Sequence, residues 1–91
     1  MHPLLRRLQS EVKSGSEKVM LDMIYFVNRW SKPKLNISNL KLESLSPKLF
    51  ELDRIRILNL SKNNLTAIPA DLKHLKSLEV LELSNNQLTA F

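Results

Sequence analysis

The sequence predicts an α/β architecture: a short right-handed solenoid with parallel strands on its concave face and an N-terminal α-helical cap. Three observations predict it. One phrase occurs twice, as LNLSKNNLTAIP at 58–69 and LELSNNQLTAF at 81–91. A register of 23 residues extends the match backwards, placing Leu35, Ile37, Leu42, Leu45, Leu49 and Leu52 under Leu58, Leu60, Leu65, Ile68, Leu72 and Leu75. The first 31 residues share none of this register and carry apolar side chains at helical spacing instead.

In residues 1–31, Leu4, Leu5, Leu8 and Val12 form one helical stripe, with Pro3 near its start. The SGS stretch at 14–16 breaks it and offers Ser16 as a helix N-cap. Val19, Met20, Met23, Ile24, Val27 and Trp30 then recur at helical spacing until Pro33 ends the run. Leu21, Tyr25 and Phe26 widen that apolar face. Two helices folding back over the open end of the first repeat account for the pattern, with Trp30 and Leu40 near the seam. The alternative is that the face of 19–30 also receives a partner or a second copy.

The repeats divide into 32–54, 55–77 and 78–91, the last stopping after 14 of its 23 positions. In the second and third, ILNL and VLEL alternate with period two, the mark of a short strand with its leucines inward. The asparagine that follows, Asn63 or Asn86, has a donor and an acceptor on one short side chain. Inside a tight bend it can satisfy main-chain groups that the strand leaves unpaired, so these residues predict a structural Asn ladder. The first repeat departs from the pattern with Leu40 at the ladder position, which calls for an apolar neighbour there. After the bend, Ile68, Leu72, Leu75 and Leu78 make a single stripe of a short helix or 3₁₀ segment, with Pro69 in its first turn and Pro47 shifted by one place in the repeat before. A single such unit cannot bury its own apolar face, so the units stack and their strands form a parallel sheet.

The phrase L-x-x-L-x-L-x-x-N-x-L, read at 78–88, resembles the leucine-rich repeat family, and the resemblance covers about two thirds of the chain. It implies a non-catalytic protein-interaction or scaffolding module. It also implies that the exposed strand positions line a protein-binding concave face: Lys34, Ile57 and Val80 in one row, Asn36, Asn59 and Glu82 in the next, then Ser38, Ser61 and Ser84. The alternative is an accessory substrate-recruiting domain of an enzyme, of the bacterial ubiquitin-ligase effector or deadenylase type, whose catalytic part is not in these residues.

Other chemistry is not in view. With one glycine, Gly15, the chain has no phosphate-cradling loop or dinucleotide fingerprint. His2 and His74 lack a paired nucleophile, and no carboxylates recur at a spacing that suggests a metal or an acid/base pair. Neither catalytic residues, cofactor nor metal is expected. Three asparagine sequons, NIS, NLS and NLT, are products of the repeat grammar. The net charge of +5, from 14 basic and 9 acidic residues, runs almost evenly along the chain, and aromatic residues are few. No nucleic acid is therefore expected as a partner.

The longest apolar run, VMLDMIYFV, contains an aspartate and falls well short of the roughly 20 residues a bilayer requires. No membrane association is expected. The opening MHPLLRRLQS has arginines where a secretory leader has its apolar core, and there is no cysteine. Both favour a cytoplasmic location, or a host cytoplasm for a delivered bacterial effector. A chain of 91 residues buries only roughly 60–65% of its unfolded surface, so stability is expected to be thin. The unfinished third repeat implies the N-terminal fragment of a longer repeat protein. It also implies a bare edge, with Leu81, Leu83, Leu88 and Phe91 uncovered, through which two copies could form a homodimer.

Overall fold

The computed structural model describes residues 15–89. The stripe at Leu4, Leu5, Leu8 and Val12, and Phe91 at the predicted edge, lie outside the described residues.

Helix α1 spans Gly15–Arg29 and buries Met20, Ile24 and Val27. Their spacing of four and three puts them on one face. Ser16, expected as its cap, lies inside the helix. Glu17 lies in its first turn and Arg29 in its last, each of the sign that the helix dipole favours. Two main-chain bonds close its C-terminal end. The Ser31 N–H donates to the Asn28 carbonyl at 3.3 Å and the Lys32 N–H to the Val27 carbonyl at 3.0 Å. Ser31 adopts the left-handed φ of 49° that this closure requires. Pro33 follows at once and cannot continue the helix.

Three short strands come next: β1 at Lys34–Asn36, β2 at Ile57–Asn59 and β3 at Val80–Glu82. They form one parallel sheet in the order β1-β2-β3. Leu35 pairs with Leu58, and Leu58 with Leu81, so the register of the sheet is the register of the sequence repeat. The ladder continues past the strands. Ile37 and Asn39 donate to the Asn59 and Ser61 carbonyls at 3.1 and 3.0 Å, and Leu60 and Lys62 repeat this one repeat later onto Glu82 and Ser84, both at 2.9 Å. At each bend the chain turns through a residue of positive φ at the same repeat position, Asn39 at 57°, Lys62 at 58° and Asn85 at 58°, and the first bend has a second, Lys41 at 57°.

The return path of each repeat contains a single 3₁₀ segment, at Pro47–Glu51 and again at Ala70–His74. Ser46 caps the first, its Oγ accepting from the Lys48 N–H at 3.2 Å. Pro69 is itself the residue before the second segment, with no side-chain cap. It sits one place earlier than the first-turn position expected of it.

The core runs between sheet and 3₁₀ segments. Leu35, Leu49, Leu58 and Leu60 are wholly shielded from solvent, with Ile37 and Ile55 nearly so. Helix α1 closes this core at the β1 end. Cover is weaker at the other end, where Leu83 and Leu88 are only partly buried and Leu81 is 36% exposed. Among the described residues, no helix is long and apolar enough to cross a membrane.

Candidate functional site

Because strand side chains alternate between faces, the leucines of β1, β2 and β3 turn to the core and their neighbours turn outward. The outward set is the row Lys34, Ile57 and Val80, joined in register, and the row Asn36, Asn59 and Glu82. Lys34 and Val80 are exposed, and Ile57, flanked on both sides, is half-buried. Ser38 is half-buried, Ser61 buried and Ser84 exposed. Six of the nine predicted positions therefore share one side of the sheet, with a mixed polar character and one apolar pair, Ile57 and Val80, while the three serines follow the strand ends and Ser61, expected to be exposed, is buried against Asn59.

The asparagines of that set also have an internal task. Asn36 Oδ1 accepts from the Ser38 N–H at 3.0 Å and from the Ser38 hydroxyl at 2.7 Å. Asn59 Oδ1 does the same with Ser61, at 3.0 and 2.6 Å. The main-chain N–H must meet an oxygen, so the amide orientation is fixed and each Nδ2 faces away from the turn. Asn36 and Asn59 thus pin the strand ends with one atom and present a donor with the other. The sequence signal for this is the N-x-S phrase recurring at the repeat interval. Glu82 breaks that phrase in the third repeat.

The bend asparagines lie behind this face. Asn63 is 4% exposed. Its Oδ1 accepts from the Leu40 and Leu42 N–H groups at 3.1 and 3.0 Å. Its Nδ2 donates to the Ile37, Leu60 and Ser61 carbonyls at 3.0, 2.9 and 3.2 Å. Asn86 accepts from the Leu65 N–H at 3.1 Å and donates to the Leu60, Leu83 and Ser84 carbonyls at 3.0, 3.0 and 3.3 Å. Each side chain bonds its own bend and the repeat before it. The first repeat has none before it, so Leu40 loses no latch and packs, partly buried, against the core.

Among the described residues, the large exposed apolar side chains divide between two places. Val80 and Leu81 lie on β3, at 43% and 36% exposure, while Val19, Tyr25, Phe26 and Trp30 lie on or just after α1. Trp30 does not enter the seam with Leu40; it is 60% exposed and carries the Arg29 guanidinium 5.3 Å from its ring centre. The sequence pattern could also have shown the Arg56–Glu79 ion pair at 2.8 Å, since the two residues are one repeat apart. Among the described residues no cluster of three or more His, Cys, Asp or Glu could hold a metal ion.

A parallel sheet whose register equals the sequence repeat, with each repeat latched to the previous one by a bend asparagine, defines a leucine-built repeat protein. Comparison with family models agrees: the Leucine rich repeat model matches residues 33–88. The chain belongs to the leucine-rich repeat family, whose domains generally mediate protein–protein interactions. No curated protein matches the chain.

Proposed function

We propose that the chain is a non-catalytic protein-interaction module. On this reading it is a short right-handed solenoid with a helical cap over 1–31 and repeats over 32–54, 55–77 and 78–91. It binds its protein partner through the outward row of Lys34, Ile57 and Val80 and the neighbouring Asn36, Asn59, Glu82, Ser38, Ser61 and Ser84. The observation that carries the reading is that Ile57 and Val80, adjacent across β2 and β3, turn apolar side chains away from the core onto the strand face. An apolar pair ringed by polar groups is a plan suited to an interface centre and rim.

Replacing Ile57 and Val80 together by aspartate tests it. Proteins captured by the wild-type chain from its own cell extract are expected to be lost from the double variant, with its circular dichroism unchanged. Retention of the same proteins would refute the strand face as the binding surface.

The reading extends to a second copy of the chain. The outer edge of β3 has no strand beyond it among the described residues, and Leu81, Leu83 and Leu88 are incompletely covered there. Open strand edges beside apolar side chains pair readily, and two β3 edges offer matching surfaces.

A further inference from the structure

We propose that the corner where α1 runs into β1 docks an acidic segment of a protein partner. This deepens the protein-binding reading and rests on it, and it names the chemistry that the partner brings.

Along the chain the basic excess is spread evenly, but the fold gathers it. The Arg56 and Ile57 N–H groups both donate to the Pro33 carbonyl, at 2.7 and 3.1 Å. Lys34 lies opposite Ile57 in the sheet register. The Arg54 Nη1 donates to the Ser31 Oγ at 3.5 Å. These contacts bring Arg29, Lys32, Lys34, Arg54 and Arg56 to one corner, with Asp53 and Glu79 the carboxylates among them. Glu79 is already engaged by Arg56 at 2.8 Å. The remaining described residues contain six Lys or Arg and six Asp or Glu. The corner therefore holds the whole basic excess of the described chain.

The same corner has shape. An open groove of about 330 Å³ runs between the end of α1 and the turn after the first 3₁₀ segment. Val27, Leu52 and Ile55 form its floor, and Lys32, Asp53 and Arg54 rise from it. The floor residues are buried and the other three exposed. Trp30, next in sequence to Ser31 of the groove lining, is exposed and has Arg29 over its ring. Exposed tryptophan and arginine are the side chains that most often anchor protein interfaces. Lys34 joins the corner to the first row of the strand face, so one partner can span both.

The arrangement favours carboxylates over a phosphate backbone. Asp53 interrupts the cations, whereas nucleic-acid surfaces run as unbroken basic stripes. A segment with one or two Glu or Asp side chains for Lys32 and Arg54, and an aromatic for Trp30, complements the groove and the residue next to it.

Trp30 is the sole tryptophan of the chain and adjoins Ser31 of the groove lining in sequence, so its fluorescence is the readout. The full chain is titrated with a synthetic peptide of Glu and Phe. A peptide of Gln and Phe and a single-stranded oligothymidine are titrated in parallel. The expected result is a saturable change in Trp30 emission with the Glu peptide alone. That affinity should weaken at least about fivefold in roughly 0.3 M salt, where exposed charges are screened. The double variant Lys32→Glu/Arg54→Glu should lower it at least about tenfold, as like charges brought together repel. The same charge reversal outside the corner, Lys73→Glu/Lys76→Glu, should leave it in place. No response to the Glu peptide, an equal response to the Gln peptide, tighter binding of the oligonucleotide, or full binding by the Lys32→Glu/Arg54→Glu variant would each overturn the proposal. Loss of captured partners from the strand-face variant but not from the corner variant would overturn the corner while leaving the protein-binding reading intact.

Discussion

Asn63 and Asn86 occupy the same place in successive repeats, yet they do not contribute equally. Asn63 is buried and serves two main-chain donors of the repeat before it, whereas Asn86 is only partly buried and serves one. Truncating Asn63 to alanine strands the Leu40 and Leu42 N–H groups away from water, and each such group costs about 1–3 kcal/mol. We expect Asn63→Ala to destabilise by at least about 2 kcal/mol and Asn86→Ala by about half as much, measured by urea unfolding. Equal losses would show that the latch to the preceding repeat is not what Asn63 supplies. Lys62 offers the opposite sign. It holds φ at 58° where its counterparts are Asn39 and Asn85, and asparagine tolerates that region better than lysine. Lys62→Asn should therefore stabilise by about 0.5 kcal/mol in the same assay; a destabilised variant would contradict the strain at that bend. The bend asparagines were legible in the sequence because a polar residue recurring at one fixed place among leucines must be satisfied by the main chain around it. The second use of asparagine, Asn36 and Asn59 tying down Ser38 and Ser61, was written in the same repeat. It was harder to see, because an outward polar residue on a strand has the pattern of plain solvated surface.

At the scale of elements, α1 and β3 close the sheet unequally. The helix carries Met20, Ile24 and Val27 onto the β1 end, where the adjoining leucines are fully shielded. At β3 the equivalent leucines are partly open. Periodicity foretold the helix, the strands and the stripe leading into the 3₁₀ turns, since periods of 3.6 and 2 reflect which side of an element meets the core. It located boundaries less well: Ser16 lies within the helix rather than capping it, and Pro69 precedes its 3₁₀ turn. Those details depend on single main-chain bonds, which leave no periodic trace. The fate of Trp30 was equally hidden, because helical spacing places it beside apolar residues, while the left-handed turn at Ser31 begins immediately after it. If two β3 edges pair, mass in solution should rise with concentration toward a dimer, and Leu83→Lys should hold the chain monomeric by setting like charges against each other. A wild type that stays monomeric at every concentration would rule out the edge as an interface between copies.

For the whole molecule, the repeat interval does two jobs. It stacks leucine on leucine to build the core, and it stacks outward positions into rows, so a change in one repeat lands beside its counterpart in the next. The parallel sheet and the register of its outward strand positions were legible because both follow from the interval alone. The gathering of cations at the α1–β1 corner was not, because it depends on where the helix ends relative to the sheet, and no repeat specifies that. Both proposed surfaces require the repeats to stack in that register. Nuclear Overhauser contacts across the sheet test this most directly. Stacked repeats predict cross-strand contacts linking Leu35 to Leu58 and Leu58 to Leu81 in a parallel ladder, with slow amide exchange at Ile37 and Leu60, which donate across it. Helical contacts through 57–59, or cross-strand contacts in any other register, would contradict the stacking.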